Sequence, residues 1–74
     1  MTRAEIITTV TEDALIAFEW SCSWERAVEV IAEELRHHGL KATRPLVFHI
    51  LNLAKLSWAG EVDRVKRLIA EETN

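Results

Sequence analysis

PLVFHILNLAKLSWA, residues 45–59, is a segment whose only polar side chains are those of His49, Asn52, Lys55 and Ser57. As a helix of about four turns it is apolar around most of its circumference. Such a helix must be covered by other elements on nearly every side, because apolar surface left in water is unfavourable. The remaining chain is short, so we expect this helix to lie at the centre of the fold.

Turn-forming residues occur at positions 21–23, 39–44 and 60 and divide the chain into four segments. The segments between them have helical spacing, most clearly the second, whose one apolar face carries Trp24, Ala27, Val28, Ile31 and Leu35. The predicted helices cover residues 3–20, 24–38, 44–59 and 61–72. We therefore expect a single, compact all-α domain of four helices with the apolar third helix at its centre.

Local signals support these helix boundaries. Thr2 and Glu5 have the spacing of a capping box, in which each side chain binds the other residue's backbone amide. Ser23 and Thr43 are good N-caps for the second and third helices. Gly39 stands where a left-handed residue is expected to end the second helix.

The beginning of the first helix is ambiguous. Residues 6–11 are all β-branched, which makes them poor helix formers. One helix from residue 3 is favoured, because the apolar residues of the segment fall on one helical face. The alternative is a start at Thr11, preceded by a short strand or arm over residues 3–10.

The size of the chain predicts self-association. A domain of 74 residues buries only about 60% of its unfolded surface, and small domains are usually stabilised by disulfides, a metal or a partner. Cys22 is the only cysteine, and the three histidines lack the spacing of zinc ligands. We therefore expect a homodimer.

A lone cysteine, no secretory signal and no run of about 18 apolar residues predict a cytoplasmic protein without a membrane span.

Charge is unevenly distributed along the chain, whose net charge is −3. Residues 1–34 carry eight acids and two bases (−6), residues 35–60 carry four bases and no acid (+4), and residues 61–74 carry four acids and three bases (−1). The acid-free segment is suited to an acidic partner, either a phosphate backbone or a protein surface. The alternative is that much of it is core, where charges of either sign are scarce.

Short connections make consecutive helices antiparallel neighbours, which predicts two chemically distinct ends. Trp20, Trp24 and Trp58 are expected to meet at one end, either as a protein interface or as a cap that seals the core. The loop over residues 36–44 is expected at the other end. Its cations could hold phosphate or could simply complement the helix dipole.

Residues 28–65 resemble one known family. The sequence VEVIAEELRHHGLKATRPLVFHILNLAKLSWAGEVDRV is similar to the helix-turn-helix portion of winged-helix DNA-binding regulators. In that family a helix of the VxxIAEEL type precedes a turn and a recognition helix, and a glycine-hydrophobic step leads into the wing. After Gly60, however, the apolar residues keep helical spacing, so we expect a fourth helix in place of a wing. His49 occupies a position that is usually aliphatic in the family.

The resemblance implies DNA binding by the third helix and the basic loop, with dimers reading paired half-sites. The residues available for this role are Arg36, His37, His38, Lys41, Arg44, His49, Asn52 and Lys55. A recognition helix needs an exposed polar face to reach base edges, and the third helix offers only a narrow polar strip.

Nothing in the sequence predicts an enzyme, a metal, a cofactor or a small-molecule substrate. Cys22 and the His37–His38 pair are expected at opposite ends, and the carboxylates lie on solvated faces without a pocket to raise a pKa.

The leading prediction is a non-enzymatic regulator that binds another protein through apolar helical surface. The interface candidates are Trp20, Trp24, Phe48 and Trp58. The alternative is a small DNA-binding transcriptional regulator.

Overall fold

Four helices make up the fold in the computed structural model, which describes residues 1–72. They are α1 (Arg3–Ser21), α2 (Trp24–His37), α3 (Arg44–Trp58) and α4 (Val62–Glu71). All regular secondary structure within residues 1–72 is helical. The predicted all-α, four-helix fold class is therefore confirmed.

Local hydrogen bonds fix three of the four helix starts. At α1 the Glu5 amide donates to Thr2 Oγ1 (3.1 Å) and the Thr2 amide donates to Glu5 Oε1 (3.2 Å), which completes the predicted capping box. Ser23 accepts a hydrogen bond at the start of α2, and Thr43 does the same for α3. The start of α4 has no side-chain cap.

The β-branched segment at the start of α1 is helical, which resolves the ambiguity over residues 3–10. Ile7 and Val10 are fully buried, so packing outweighs the modest helix propensity of these residues. The Thr11 hydroxyl, also buried, donates to the Ile7 carbonyl (2.7 Å). Its polar group is thereby satisfied inside the helix.

Two of the turns use glycine in the left-handed region, and the third uses a cysteine. Gly39 has φ 79°, and the adjacent Leu40 amide donates to the Leu35 carbonyl (2.8 Å), as predicted for the end of α2. Gly60 has φ 89° beyond the end of α3. Cys22 has φ 54° at the end of α1, and a side chain makes this conformation unfavourable.

Replacing Cys22 with glycine is therefore expected to stabilise the protein by about 0.5–1 kcal/mol. Relief of the left-handed strain, about 1–2 kcal/mol, is partly offset by the greater chain entropy that glycine has in the unfolded state. Urea denaturation followed by circular dichroism measures the difference. Cys22→Ala is the control, because it removes the thiol and keeps the strain. Equal stability of the Gly and Ala proteins would contradict the prediction.

The core lies where the four helices meet. It contains Ile6, Ile7, Val10 and Ala14 of α1, Ala27, Ile31 and Leu35 of α2, Val47, Ile50, Leu51, Leu53 and Ala54 of α3, and Val65 and Ile69 of α4. α1 and α3 each contact the other three helices, whereas α2 and α4 do not contact each other within residues 1–72. The sequence singles out α3 as the central helix, but α1 has the same number of neighbours.

The apolar surface of α3 is incompletely covered. Ile50 and Ala54 are fully buried, but Phe48 is 45% exposed and Trp58 is 54% exposed. The radius of gyration, 11.2 Å, matches the ~11 Å of a compact chain of this length, so this exposure does not reflect an expanded fold. None of the helices in residues 1–72 combines the length and apolarity that crossing a membrane requires.

Candidate protein-binding surface

An aromatic cluster joins the first three helices at one end of the domain. The rings of Phe18 (α1) and Trp24 (α2) stack with centroids 3.8 Å apart and an interplanar angle of 9°. The Trp58 ring (α3) meets Phe18 edge-on, with centroids 5.0 Å apart and an angle of 79°. The edge-to-face geometry of the Phe18–Trp58 pair is one that aromatic rings favour. Two of the three tryptophans thus meet as predicted, through a phenylalanine that the sequence analysis did not assign to this end.

Trp20 does not take part in this cluster. Its side chain is 84% exposed, and it makes no ring contact within the described residues. Residues two apart on a helix point in different directions, so Trp20 diverges from Phe18. The prediction that all three tryptophans meet is therefore wrong for Trp20. Trp20 is instead largely exposed to solvent.

A second apolar surface, which we call the aromatic face, continues from the cluster along α2 and α3. It consists of Trp24, Val28, Phe48 and Leu51, which line a shallow depression between the two helices together with the exposed acidic residue Glu25. Phe48 is the most exposed of these four residues.

Two cations lie against the rings of the aromatic face. Arg44 Cζ is 5.5 Å from the centroid of Phe48, and Lys55 Nζ is 5.6 Å from the centroid of Trp24. These distances are within the range of cation–π contacts. The result is an apolar surface flanked by two cations, with Glu25 as the one acidic residue that lines it. Arg44 and Lys55 are candidates for nucleic-acid binding in the sequence, whereas in the structure Arg44 lies against Phe48 and Lys55 against Trp24, two candidates for protein binding.

The basic loop lies at the far end of α2 and forms an open depression. Arg36 and Lys41 line it, together with Gly39, Leu40, Ala42 and Thr43. The rings of His37 and His38 are 5.8 Å apart, edge to face. The loop therefore presents cations to solvent.

His49 is separated from the other residues assigned to nucleic acid. Its Nε2 atom is inaccessible to solvent and lies 2.9 Å from Oε1 of Glu72, without hydrogen-bond geometry. Arg44 and Lys55 are five and six residues away on the same helix, which places them on a different side of α3. Asn52 is exposed. The polar strip predicted for α3 is therefore divided between two sides of the helix.

A pair of carboxyl groups between α1 and α2 contradicts one expectation. Glu34 was placed on a solvated face, but it is half-buried and its Oε2 atom is shielded from solvent without a hydrogen-bond partner. Burial of the Glu34 carboxyl, and secondarily the neighbouring Asp13 carboxyl, raise the pKa of Glu34 to about 7. Nothing local in the sequence indicates this pair, because the two residues belong to different helices.

The residues considered for catalysis and metal binding are dispersed. Cys22 is exposed in the turn before α2, and His37 is at the other end of that helix, ~20 Å away for 14 residues. No group of three or more His, Cys, Asp or Glu side chains in residues 1–72 has an arrangement that could hold a metal ion.

The aromatic face thus combines the exposed ring of Phe48 with partly buried apolar side chains and two flanking cations. Comparison of the chain with protein-family models, with curated proteins and with solved structures finds no match in any of the three.

Proposed function

We propose that this protein is a small, non-enzymatic regulator that binds another protein through its aromatic face. The observation that carries the proposal is the exposure of Phe48, which is 45% accessible beside Trp24 and Leu51 in an otherwise compact domain. Large apolar groups grouped on a surface are typical of interaction sites, whereas scattered single ones are not.

The chemistry of this face suits recognition of a helix or loop with apolar anchors and acidic neighbours. Phenylalanine and tryptophan rings bury large areas at low entropic cost, and they dominate the energetics of many interfaces. Arg44 and Lys55 remain at the edges of the rings, where they can pair with carboxylates at the rim of a complex. The acid-free composition of residues 35–60 favours an acidic partner in the same way.

We further propose that the functional form is a homodimer. A chain of 74 residues has a small core, and association is the remaining common means of stabilising such a domain when it has a single cysteine. The single, free cysteine favours the cytoplasm as its location.

Replacing Phe48 with glutamate is expected to weaken partner binding by about tenfold or more. A charge at this position repels an acidic partner and removes a ring that the partner would bury. Tagged protein is used to capture partners from cells that encode it, and the affinity of each identified partner is then measured by titration calorimetry with the wild-type and variant proteins.

The matched control is Ile16→Glu. Ile16 is 52% exposed on α1, so this variant carries the same change of charge at an exposed apolar residue away from the aromatic face. Circular dichroism establishes that both variants are folded. A partner that binds Phe48→Glu as tightly as the wild type, or loses equal affinity with Ile16→Glu, would contradict the assignment.

A DNA-binding regulator is the second candidate, supported by the open basic depression that contains Arg36 and Lys41 and by the resemblance of residues 28–65 to winged-helix proteins. Phosphate binding by exposed cations is salt-dependent and tolerates loss of an aromatic ring. Duplex binding that survives Phe48→Glu and is lost with Lys41→Glu would favour this function over the first.

A further inference from the structure

A groove separate from the aromatic face runs between α1 and α4. Its volume is about 390 Å³, enough for several side chains, and it is half enclosed. The apolar residues that line it include Leu15 of α1 and Val62, Val65 and Ile69 of α4. Val62 is 47% exposed, whereas Val65 and Ile69 are buried at the base. The groove is therefore an apolar trough that the domain leaves uncovered.

The two walls of the groove carry charges of opposite sign. Glu12 lies on the α1 wall and Lys66 on the α4 wall, and both are exposed. Neither residue forms an ion pair within residues 1–72. The α1 wall is acidic beyond Glu12, since Glu5 and Glu19 are spaced seven residues on either side and lie within about 20° of it around the helix.

This arrangement is self-complementary. In a dimer with two-fold symmetry, any contact between one residue and a second residue of the partner is repeated with the roles exchanged. When a groove has one acidic and one basic wall, two-fold pairing can set the acidic wall of each protomer against the basic wall of the other, so the favourable contact occurs twice. A groove with walls of a single sign would repel its own copy. A two-fold copy therefore supplies the complementary charges on both sides.

We propose that the α1–α4 groove binds a second copy of this chain across a two-fold axis, with Glu12 of each protomer paired with Lys66 of the other. The inference rests on the proposed homodimer and assigns it a surface. It leaves the aromatic face of each protomer free for the partner protein. Val62 and Leu15 would be covered by the second copy, which removes exposed apolar area from water.

Charge reversal tests the pairing directly. Glu12→Lys and Lys66→Glu are each expected to raise the dimer dissociation constant by about tenfold or more at low ionic strength, because both symmetric pairs become repulsive. An equimolar mixture of the two variants is expected to form a heterodimer with near wild-type affinity. Each protomer of that mixture carries one sign at both positions, so every contact across the axis joins opposite charges. Sedimentation equilibrium measures the dissociation constant of the wild type, of each variant and of their mixture.

Matched controls are Arg67→Glu, which changes the adjacent charge on α4 outside the groove, and Glu33→Lys on α2. Both are expected to dimerise as the wild type does. A wild-type protein that stays monomeric at all concentrations would overturn this inference and the proposed homodimer together. A dimer that resists both charge reversals, or variants that fail to associate when mixed, would overturn the groove alone. Loss of the dimer with Phe48→Glu instead would place the dimer interface on the aromatic face.

Discussion

Replacing Ile50 with alanine is expected to lower the free energy of unfolding by about 2–5 kcal/mol, which is the range for removing a buried aliphatic side chain and leaving a cavity. Ile50 is fully buried on the helix that contacts α1, α2 and α4. A domain of this size has a total stability of only ~4–11 kcal/mol, so the substitution removes a large part of it. The melting temperature, followed by circular dichroism, is expected to fall by about 10–30 °C.

Phe48→Ala is the matched control for this substitution, since it truncates a larger side chain two residues away on the same helix. Phe48 is 45% exposed, so we expect its truncation to change the free energy of unfolding by no more than about 1 kcal/mol. Melting must be measured at several protein concentrations, because association makes the transition temperature depend on concentration. A smaller loss of stability for Ile50→Ala than for Phe48→Ala would contradict the burial described for α3.

Replacing Glu34 with glutamine is expected to stabilise the protein at pH 8 by about 2 kcal/mol and to leave its stability nearly unchanged at pH 4.5. The pKa of Glu34 rises from its ordinary 4.5 to about 7 in the folded state. Between these two values the folded protein holds a proton that the unfolded protein has released, so the wild-type stability decreases as the pH rises through this window. The full linkage for this pKa difference is about 3 kcal/mol, and solvent screening of a half-buried pair reduces it.

Urea denaturation between pH 4.5 and 8 tests this dependence in the wild-type, Glu34→Gln and Glu33→Gln proteins. Glu33 is the exposed neighbour of Glu34, and its substitution is expected to leave the pH dependence intact. The histidines are identical in all three proteins, so the difference between the curves isolates Glu34. Asp13→Asn is expected to stabilise the protein at pH 8 in the same direction. Parallel wild-type and Glu34→Gln curves would contradict the assignment of the raised pKa.

The helices and their ends could be predicted from sequence because the responsible interactions are local. Thr2, Ser23 and Thr43 each bind an amide three residues ahead, and Gly39 ends α2 through its own backbone conformation. The β-branched start of α1 stayed ambiguous for the opposite reason. Its helical state depends on burying Ile7 against other helices, which propensity does not report.

The features that sequence analysis missed depend on register between helices. The Asp13–Glu34 pair joins α1 to α2, and the contact between His49 and Glu72 joins α3 to the residue that follows α4. Helical periodicity does not determine either contact. Trp20 and Phe18 differ by only two residues, yet one is exposed and the other is the centre of the aromatic cluster. Hydrophobic spacing predicted the buried face of α1. It does not place Trp20 in the aromatic cluster, because Trp20 lies on another side of that helix.

The sparse attachment of α4 has a consequence for motion. This helix has ten residues, lacks a side-chain cap at its start and makes no contact with α2 within the described residues. A helix that short is not stable alone in water, so its order depends on the apolar residues that it buries against α1 and α3. Local opening of α4 should therefore cost less free energy than global unfolding, and it would expose the base of the groove. Any molecule that binds in the groove would contact α4 and would therefore raise the free energy needed for its local opening.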